Sequence, residues 1–218
     1  MNDFFIKDAS INDISFIVET IIEAEKSGTE IFTYKTIFGL SENEAKIYIM
    51  QMLEEEVNGC ELSVSSFKLA VSNNKIIAAT AAWVEGSEGL PSAILKGNLL
   101  NYVLPKNCID QAKGLSSVLQ GVNIEHKNNT IQLGLVYVSK EFRRNGLVKI
   151  LIDNHIKSLK QNHKHIDQIY VQVFGNNIAA IKAYKKVGFS IVQTKKSSKK
   201  EILNLLPFNE KILMKREI

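Results

Sequence analysis

The segment from 130 to 174 limits the fold more than any other part of the chain. It reads as an apolar run, "TIQLGLVYV", a charged turn, "SKEFRRNG", an amphipathic stretch, "LVKILIDNHIKSLKQN", and a second apolar run, "QIYVQVF". Apolar residues at positions 147, 148, 150, 151, 152 and 156 fit a helix, whereas the flanking runs are short and rich in β-branched residues. Strand, crossover helix and strand leave 130–138 and 168–174 running parallel, because a connection of that kind returns the chain to the same end of the sheet. A parallel pair of this sort calls for an α/β fold with helices laid against the sheet.

The rest of the chain adds strands and helices around that unit. "FFIKDAS" reads as a strand, and Ile14, Ile17, Val18, Ile21 and Ile22 recur at helical spacing just after it. Ser41 and Glu44 form a capping box that starts "SENEAKIYIMQMLEEE" as a helix. In "SFKLAVSNNKIIAATAAWVEG", the turn-forming Ser72, Asn73 and Asn74 separate two strand-like runs and predict a hairpin. "NIAAIKAYKKVGF" is a short helix stopped at Gly188, and "SIVQTKK" and "KILMKRE" are closing strands. Residues 87–129 hold two of the three prolines and helix-like patches without firm boundaries, and read as an insertion. With no internal repeat and no low-complexity linker, the expectation is one domain over 1–218 interrupted at about 87–129.

Charge and composition exclude several roles. Lys and Arg exceed Asp and Glu by 27 to 23, a net charge of +4 that admits an anionic ligand but is too weak to argue for nucleic acid. No apolar run nears the ~18 residues that span a bilayer, and "MNDFFIKDAS" has neither the basic start nor the apolar core of a signal peptide, so a cytoplasmic protein is expected. Cys60 and Cys108 lack metal-ligand spacing and read as free thiols; His163 and His165, in "QNHKHID", read as a solvated helix end. No metal is expected.

The single glycine of the crossover, Gly146, follows Arg143 and Arg144 and stands where the helix starts. The first N–H groups of a helix have no acceptor inside it, and the macrodipole adds partial positive charge there. A glycine at that point lets a phosphate approach the backbone, with the arginines as charge-assisted donors. An ordinary loop glycine beside solvated arginines explains this stretch alone equally well. The segment lacks the Gly-Lys-Ser/Thr of a P-loop and the three glycines of a dinucleotide fingerprint.

"VSKEFRRNGLV" resembles the acyl-CoA-binding motif of the GNAT superfamily of N-acetyltransferases, whose pattern is Arg or Gln, two residues, Gly, one residue, Gly or Ala. Arg143 and Gly146 match the first two positions, and Val148 stands at the third, tolerable with its side chain in the core because amides grip the ligand. "NIAAIKAYKKVGF" is similar to the family's second signature, with Asn177 at the helix N-cap and Tyr184 two turns below it. The likeness implies a GNAT-like mixed α/β (α+β) fold, mostly antiparallel, with a central parallel pair splayed to admit acyl-CoA. It also implies that Leu135, Val136 and Val138 align the pantetheine arm through free backbone groups. Arg143, Arg144, Asn145, Gly146, Leu147 and Val148 would hold the diphosphate, with Asn177 beside them.

The implied reaction is direct transfer of an acetyl group from acetyl-CoA to a primary amine of a small molecule, peptide or protein, with Tyr184 as the donor to the departing thiolate. Family members often carry a Glu on the 130–138 strand, where this chain has only Gln132 and Gly134. Glu85 and Glu125 are then candidates to act as base through water, each read more readily as an ordinary surface carboxylate, and a water chain to solvent is equally admissible. Trp83 reads as core more readily than as pocket, and Tyr137 as either. Two other readings stay open: a catalytically silent acyl-CoA-binding module, and a transferase of longer acyl chains. A homodimer is also left open.

Overall fold

The structure, a computed structural model, describes residues 4–218. The chain begins with strand β1 (Phe5–Asp8) and a 3-10 turn (Ile11–Asp13), in which Asp13 accepts from the backbone N–H and the hydroxyl of Ser10. Helix α1 (Ile14–Lys26) buries all five isoleucine and valine positions expected to face the core. Two further helices follow, α2 (Thr33–Phe38) and α3 (Glu42–Glu54), the latter opened by the Ser41–Glu44 capping box.

The hairpin joins β2 (Phe67–Ser72) to β3 (Lys75–Val84) through Asn73 and Asn74, both left-handed, which is the turn whose twist matches paired strands. Strand β3 is buried along almost its whole length, and its alanines allow helices to approach from both sides. Residues 87–129 fold into α4 (Ser92–Val103), α5 (Lys106–Gly114), α6 (Ser116–Leu119) and a 3-10 turn (Gln120–Val122). Pro91 and Pro105 stand immediately before α4 and α5, where a missing N–H costs a helix nothing.

The crossover runs from β4 (Ile131–Val138) through α7 (Leu147–Asn162) to β5 (Gln168–Phe174), and α8 (Ile178–Lys186), β6 (Ser190–Lys196) and β7 (Glu210–Glu217) complete the fold. Seven strands form one sheet in the order β1-β2-β3-β4-β5-β7-β6, and β4–β5 is its parallel pair. The last strand enters between β5 and β6 instead of closing the edge.

Helices α1, α3, α4 and α5 pack on one face, around Phe32, Phe67, Met52 and Leu69. The other face carries α7 and α8, which share a core with Ile131, Val171 and Met214. Buried His155 ties α7 to β3, its Nε2 lying 3.0 Å from the carbonyl and 2.9 Å from the hydroxyl of Thr80. Beyond α6, Val122 packs with Ile202, Leu206 and Phe174. The 87–129 segment therefore touches both halves of the sheet and crosses over the β4–β5 junction.

Candidate functional site

The β4–β5 ladder is short. Cα partners run only from Ile131↔Ile169 to Leu133↔Val171, after which β4 continues to Val138 with no strand on that edge. On its other side, β4 carries one extra residue against β3, because Thr80 pairs with Val136 while Ala82 pairs with Leu133. A bulge bends the strand that carries it, and this one lies just where the β4–β5 ladder stops. The Ser139 N–H donates to the Ile77 carbonyl at 2.9 Å, toward β3. Strand alternation therefore turns the N–H and C=O of Val138 and Val136 to the open edge. Arg143 Nε donates to the Val138 carbonyl at 3.0 Å, so that acceptor is engaged, contrary to the expectation of a wholly free Val138. Leu135 lies in the bulge and packs toward α1, as Tyr137 does through its ring contact with Phe16.

The turn after β4 leaves a continuous row of backbone donors. The Arg143 N–H donates to Lys140 and the Ile150 N–H to Gly146. Between them, the N–H groups of residues 144–149 meet no acceptor among the described residues. Gly146 has φ 76°, a left-handed conformation, and a Cβ placed on it would meet no atom within 4 Å. The space in front of these amides is open. Asn145 braces the turn, its Nδ2 donating to the Phe142 carbonyl at 3.2 Å. Leu147 is buried and Val148 packs against the core, so the departure from glycine or alanine at 148 keeps its side chain on the core side. The donor set, six amides at a helix mouth flanked by two exposed arginines, fits a diphosphate.

A continuous cleft of about 2170 Å³ runs from Gly146 along the open β4 edge to Trp83 and Tyr34. Tyr184, on α8, lines it, and its hydroxyl makes no hydrogen bond to the described residues. Burial pushes the Tyr184 phenol up, so it keeps its proton at neutral pH. Asn177 is used differently. Its Oδ1 caps α8 at Ala180 N–H and its Nδ2 donates to Ser27, which ties α8 to the end of α1.

Beyond Gly134 the cleft becomes polar. Gly134 is where Trp83 crosses β4: a Cβ there would come within 2.7 Å of the indole Cζ3. Glu61 and Lys96 form an ion pair at 2.6 Å, both side chains less than a third exposed. Burial opposes the Lys96 charge, yet Glu61 and Tyr34 outweigh it and raise the ammonium above its ordinary range. Lys211 reaches over the Phe174 ring, and burial lowers its ammonium despite Glu25 and Glu61.

Glu85 corrects one expectation. It is not a surface carboxylate but 1% exposed, and it lines the cleft. Its Oε1 accepts from Ser92 N–H at 2.8 Å, and its Oε2 accepts from Trp83 Nε1–H at 3.0 Å with His126 Nδ1 at 3.3 Å. Burial pushes this carboxyl up, but the hydrogen bonds from His126, Ser92 and Trp83 prevail and hold it at about 2. Trp83 is thus both core and cleft wall, while Glu125, exposed, has no such setting. Sequence reasoning singled out neither His126 nor Lys96, whose partners lie 41 and 35 residues away, out of reach of any local pattern. Among the described residues no group of His, Cys, Asp and Glu could hold a metal ion, and no helix is long and apolar enough to cross a membrane.

Comparison with known proteins bears on the same elements. The family model described as "Acetyltransferase (GNAT) family" matches residues 65–189, from the hairpin through α8. An N-alpha-acetyltransferase of Saccharolobus solfataricus is 27% identical over 104 residues, 48% of this chain and 58% of the relative. A chloroplastic GCN5-related N-acetyltransferase of Arabidopsis thaliana is 29% identical over 97 residues, 44% of this chain and 33% of that one. The chain thus spans about a third to three fifths of the length of these curated relatives. A solved N-acetyltransferase of Staphylococcus aureus Mu50 shares the fold with TM-score 0.63 at 14% identity, covering 97% of this chain and 99% of that one. The PaiA N-acetyltransferase of Thermoplasma acidophilum, solved with coenzyme A, does so with TM-score 0.51 at 16% identity and 99% coverage of both. With a family match over more than half of its length, laid on the very strands and turn that form the cleft, the chain belongs to the GNAT acetyltransferase family.

Proposed function

We propose that the chain transfers an acetyl group from acetyl-CoA to a primary amine, directly, in a ternary complex. The observation that carries this reading is the row of unpaired N–H groups at 144–149 beside the open edge of β4. The amides and the two arginines receive the diphosphate, and the Val136 backbone pairs with the pantetheine arm as a further strand would. The arm then carries the thioester toward Gly134, where the cleft meets the polar end. Here the amine attacks the acyl carbon and the C–S bond breaks, with Tyr184 protonating the departing thiolate. The relatives' names and the coenzyme A complex of the Thermoplasma protein support the donor. The acceptor is a primary amine of a small molecule, peptide or protein, approaching past Tyr34 and the Glu61–Lys96 pair. That strands from Phe5 to Glu217 join one sheet supports reading the described chain as a single acyltransferase domain.

Calorimetric titration with acetyl-CoA, followed by thiol release across peptides, polyamines, amino acids and aminoglycosides, tests this. Binding in the micromolar range and release with at least one amine are expected. Tyr184→Phe should keep the binding and lose roughly 10²-fold or more in turnover. Absence of binding refutes the reading, and binding without release on any amine favours a silent acyl-CoA module.

A further inference from the structure

Strand β4 carries no carboxylate, and at Gly134 Trp83 fills the space a side chain would take. A protein base for the acceptor then has to come from elsewhere on the cleft wall, the alternative being an amine that loses its proton to solvent through a chain of waters. One cluster has the required construction. His126 sits edge-on to Trp83, ring centroids 5.6 Å apart, with Nδ1 turned toward Glu85 Oε2 at 3.3 Å and Ser92 Oγ at 3.1 Å. Across the ring, Nε2 makes no hydrogen bond to the described residues, and the side chain, about a quarter exposed, lines the cleft. Glu85 is itself fixed by Ser92 N–H and Trp83 Nε1–H, so its remaining acceptor capacity is aimed at the imidazole. Resting on the acetyl-transfer reading above, we propose that His126 is the base that takes the acceptor's proton through one bridging water, with Glu85 as its positioning residue.

The geometry explains the intervening water. One corner of the indole abuts Gly134 and the Nε1 corner meets Glu85, with His126 edge-on to the same ring, so the indole stands between the Glu85–His126 cluster and β4. With the ring interposed, the base acts from the cleft side of the indole through one water, and proton transfer through one water is within reach of a positioned base. Glu85 favours the tautomer with the proton on Nδ1 and a bare lone pair on Nε2, and it stabilises the imidazolium that forms. The charged groups facing this site are Glu85, after β3, and Glu61, whose carboxylate senses His126 and is itself paired with Lys96 of α4. In the step, an ammonium R–NH3+ gives one proton through the water to Nε2 and becomes R–NH2. The nitrogen lone pair forms the C–N bond, and the C–S bond breaks with its electrons on sulfur. Sulfur takes a proton from Tyr184, and the amide nitrogen's second proton leaves to solvent, from which the tyrosine is restored.

Two measurements decide it. Nitrogen-15 NMR of histidine-labelled protein without ligand, at a pH where the ring is neutral, is expected to show His126 protonated at Nδ1 and bare at Nε2. The reverse tautomer overturns the proposal. His126→Asn keeps an N–H donor near Glu85, so the buried carboxylate stays partnered, but it offers nothing at Nε2. With acetyl-CoA and a primary amine that the wild-type protein acetylates, kcat should fall about 100-fold while KM for the amine and the calorimetric Kd for acetyl-CoA stay within about twofold. Undiminished kcat, or a loss residing in Kd, overturns it. If the wild-type protein binds acetyl-CoA and acetylates no amine, the acetyl-transfer reading falls and takes this one with it. Normal turnover by His126→Asn removes only the base assignment.

Discussion

Replacing Glu85 by Gln tests the polar wall of the cleft with a magnitude that follows from the structure. The wild-type carboxyl is buried, and hydrogen bonds hold it at about 2 against an ordinary 4.5. At 1.36 kcal/mol per tenfold, that lowering corresponds to about 3 kcal/mol favouring the ionised, folded form. The folded value lies below the unfolded one, so this stability is fully present above about pH 4.5 and drains away as pH falls toward 2. Glutamine cannot ionise. Its carbonyl still accepts from Ser92 N–H, but its amide sets a donor against Trp83 Nε1–H, leaving a buried N–H unpaired. Urea unfolding should therefore place Glu85→Gln about 3 kcal/mol below wild type at pH 7, a loss of roughly 6–12 °C in Tm for a chain of this size. At pH 3 the gap should shrink to about half, since part of the linkage has already been lost by the wild-type protein. A gap below about 1 kcal/mol at pH 7, or one of equal size at both pH values, would refute the reasoning.

Two other substitutions probe the remaining parts of the site. Gly146→Ala forces an alanine into a left-handed conformation at about 1–2 kcal/mol and sets a methyl in the space before the amides. A Tm lowered by a few degrees and an acetyl-CoA Kd weakened about tenfold are expected from scanning fluorimetry and calorimetry. Lys96→Met leaves Glu61 without its counter-ion, which should cost about 2–3 kcal/mol after allowance for its partial exposure. Adding Glu61→Leu should recover most of that loss in chemical denaturation, because the stranded charge, and not the missing pair, is what destabilises.

Elements specified by neighbouring residues were legible in the sequence. The Ser41–Glu44 capping box, the asparagine turn after Ser72 and the amphipathic faces of α1 and α7 rest on contacts within a few residues, and the structure forms all of them. The parallel pair was legible because a crossover helix leaves one geometry. Its abrupt end after Leu133 coincides with a bulge set against β3, which no periodicity in β4 announces. The 87–129 segment was obscure because its helix-like patches lack clear boundaries in the sequence, whereas in the structure Pro91 and Pro105 precede helices that Leu99, Leu104 and Ile109 anchor to the core. The insertion of β7 between β5 and β6 is likewise a matter of long-range pairing.

The candidate site divides along the same line. Arg143, Gly146 and Tyr184 stood out through the likeness of their two motifs to those of the GNAT family, and the open space before Gly146 accords with the role proposed for it. Asn177 was placed correctly on the chain, but both ends of its amide are used within the protein. The Glu85–His126 contact closes only when the end of the 87–129 segment comes back over β3, so composition and spacing could not reveal it.

The direct measurement for the central claim is a crystal structure of the protein with coenzyme A. The account predicts diphosphate oxygens at about 3 Å from several N–H groups of residues 144–149, and the pantetheine arm along Val136. A diphosphate bound elsewhere, with those amides left facing water, would contradict it.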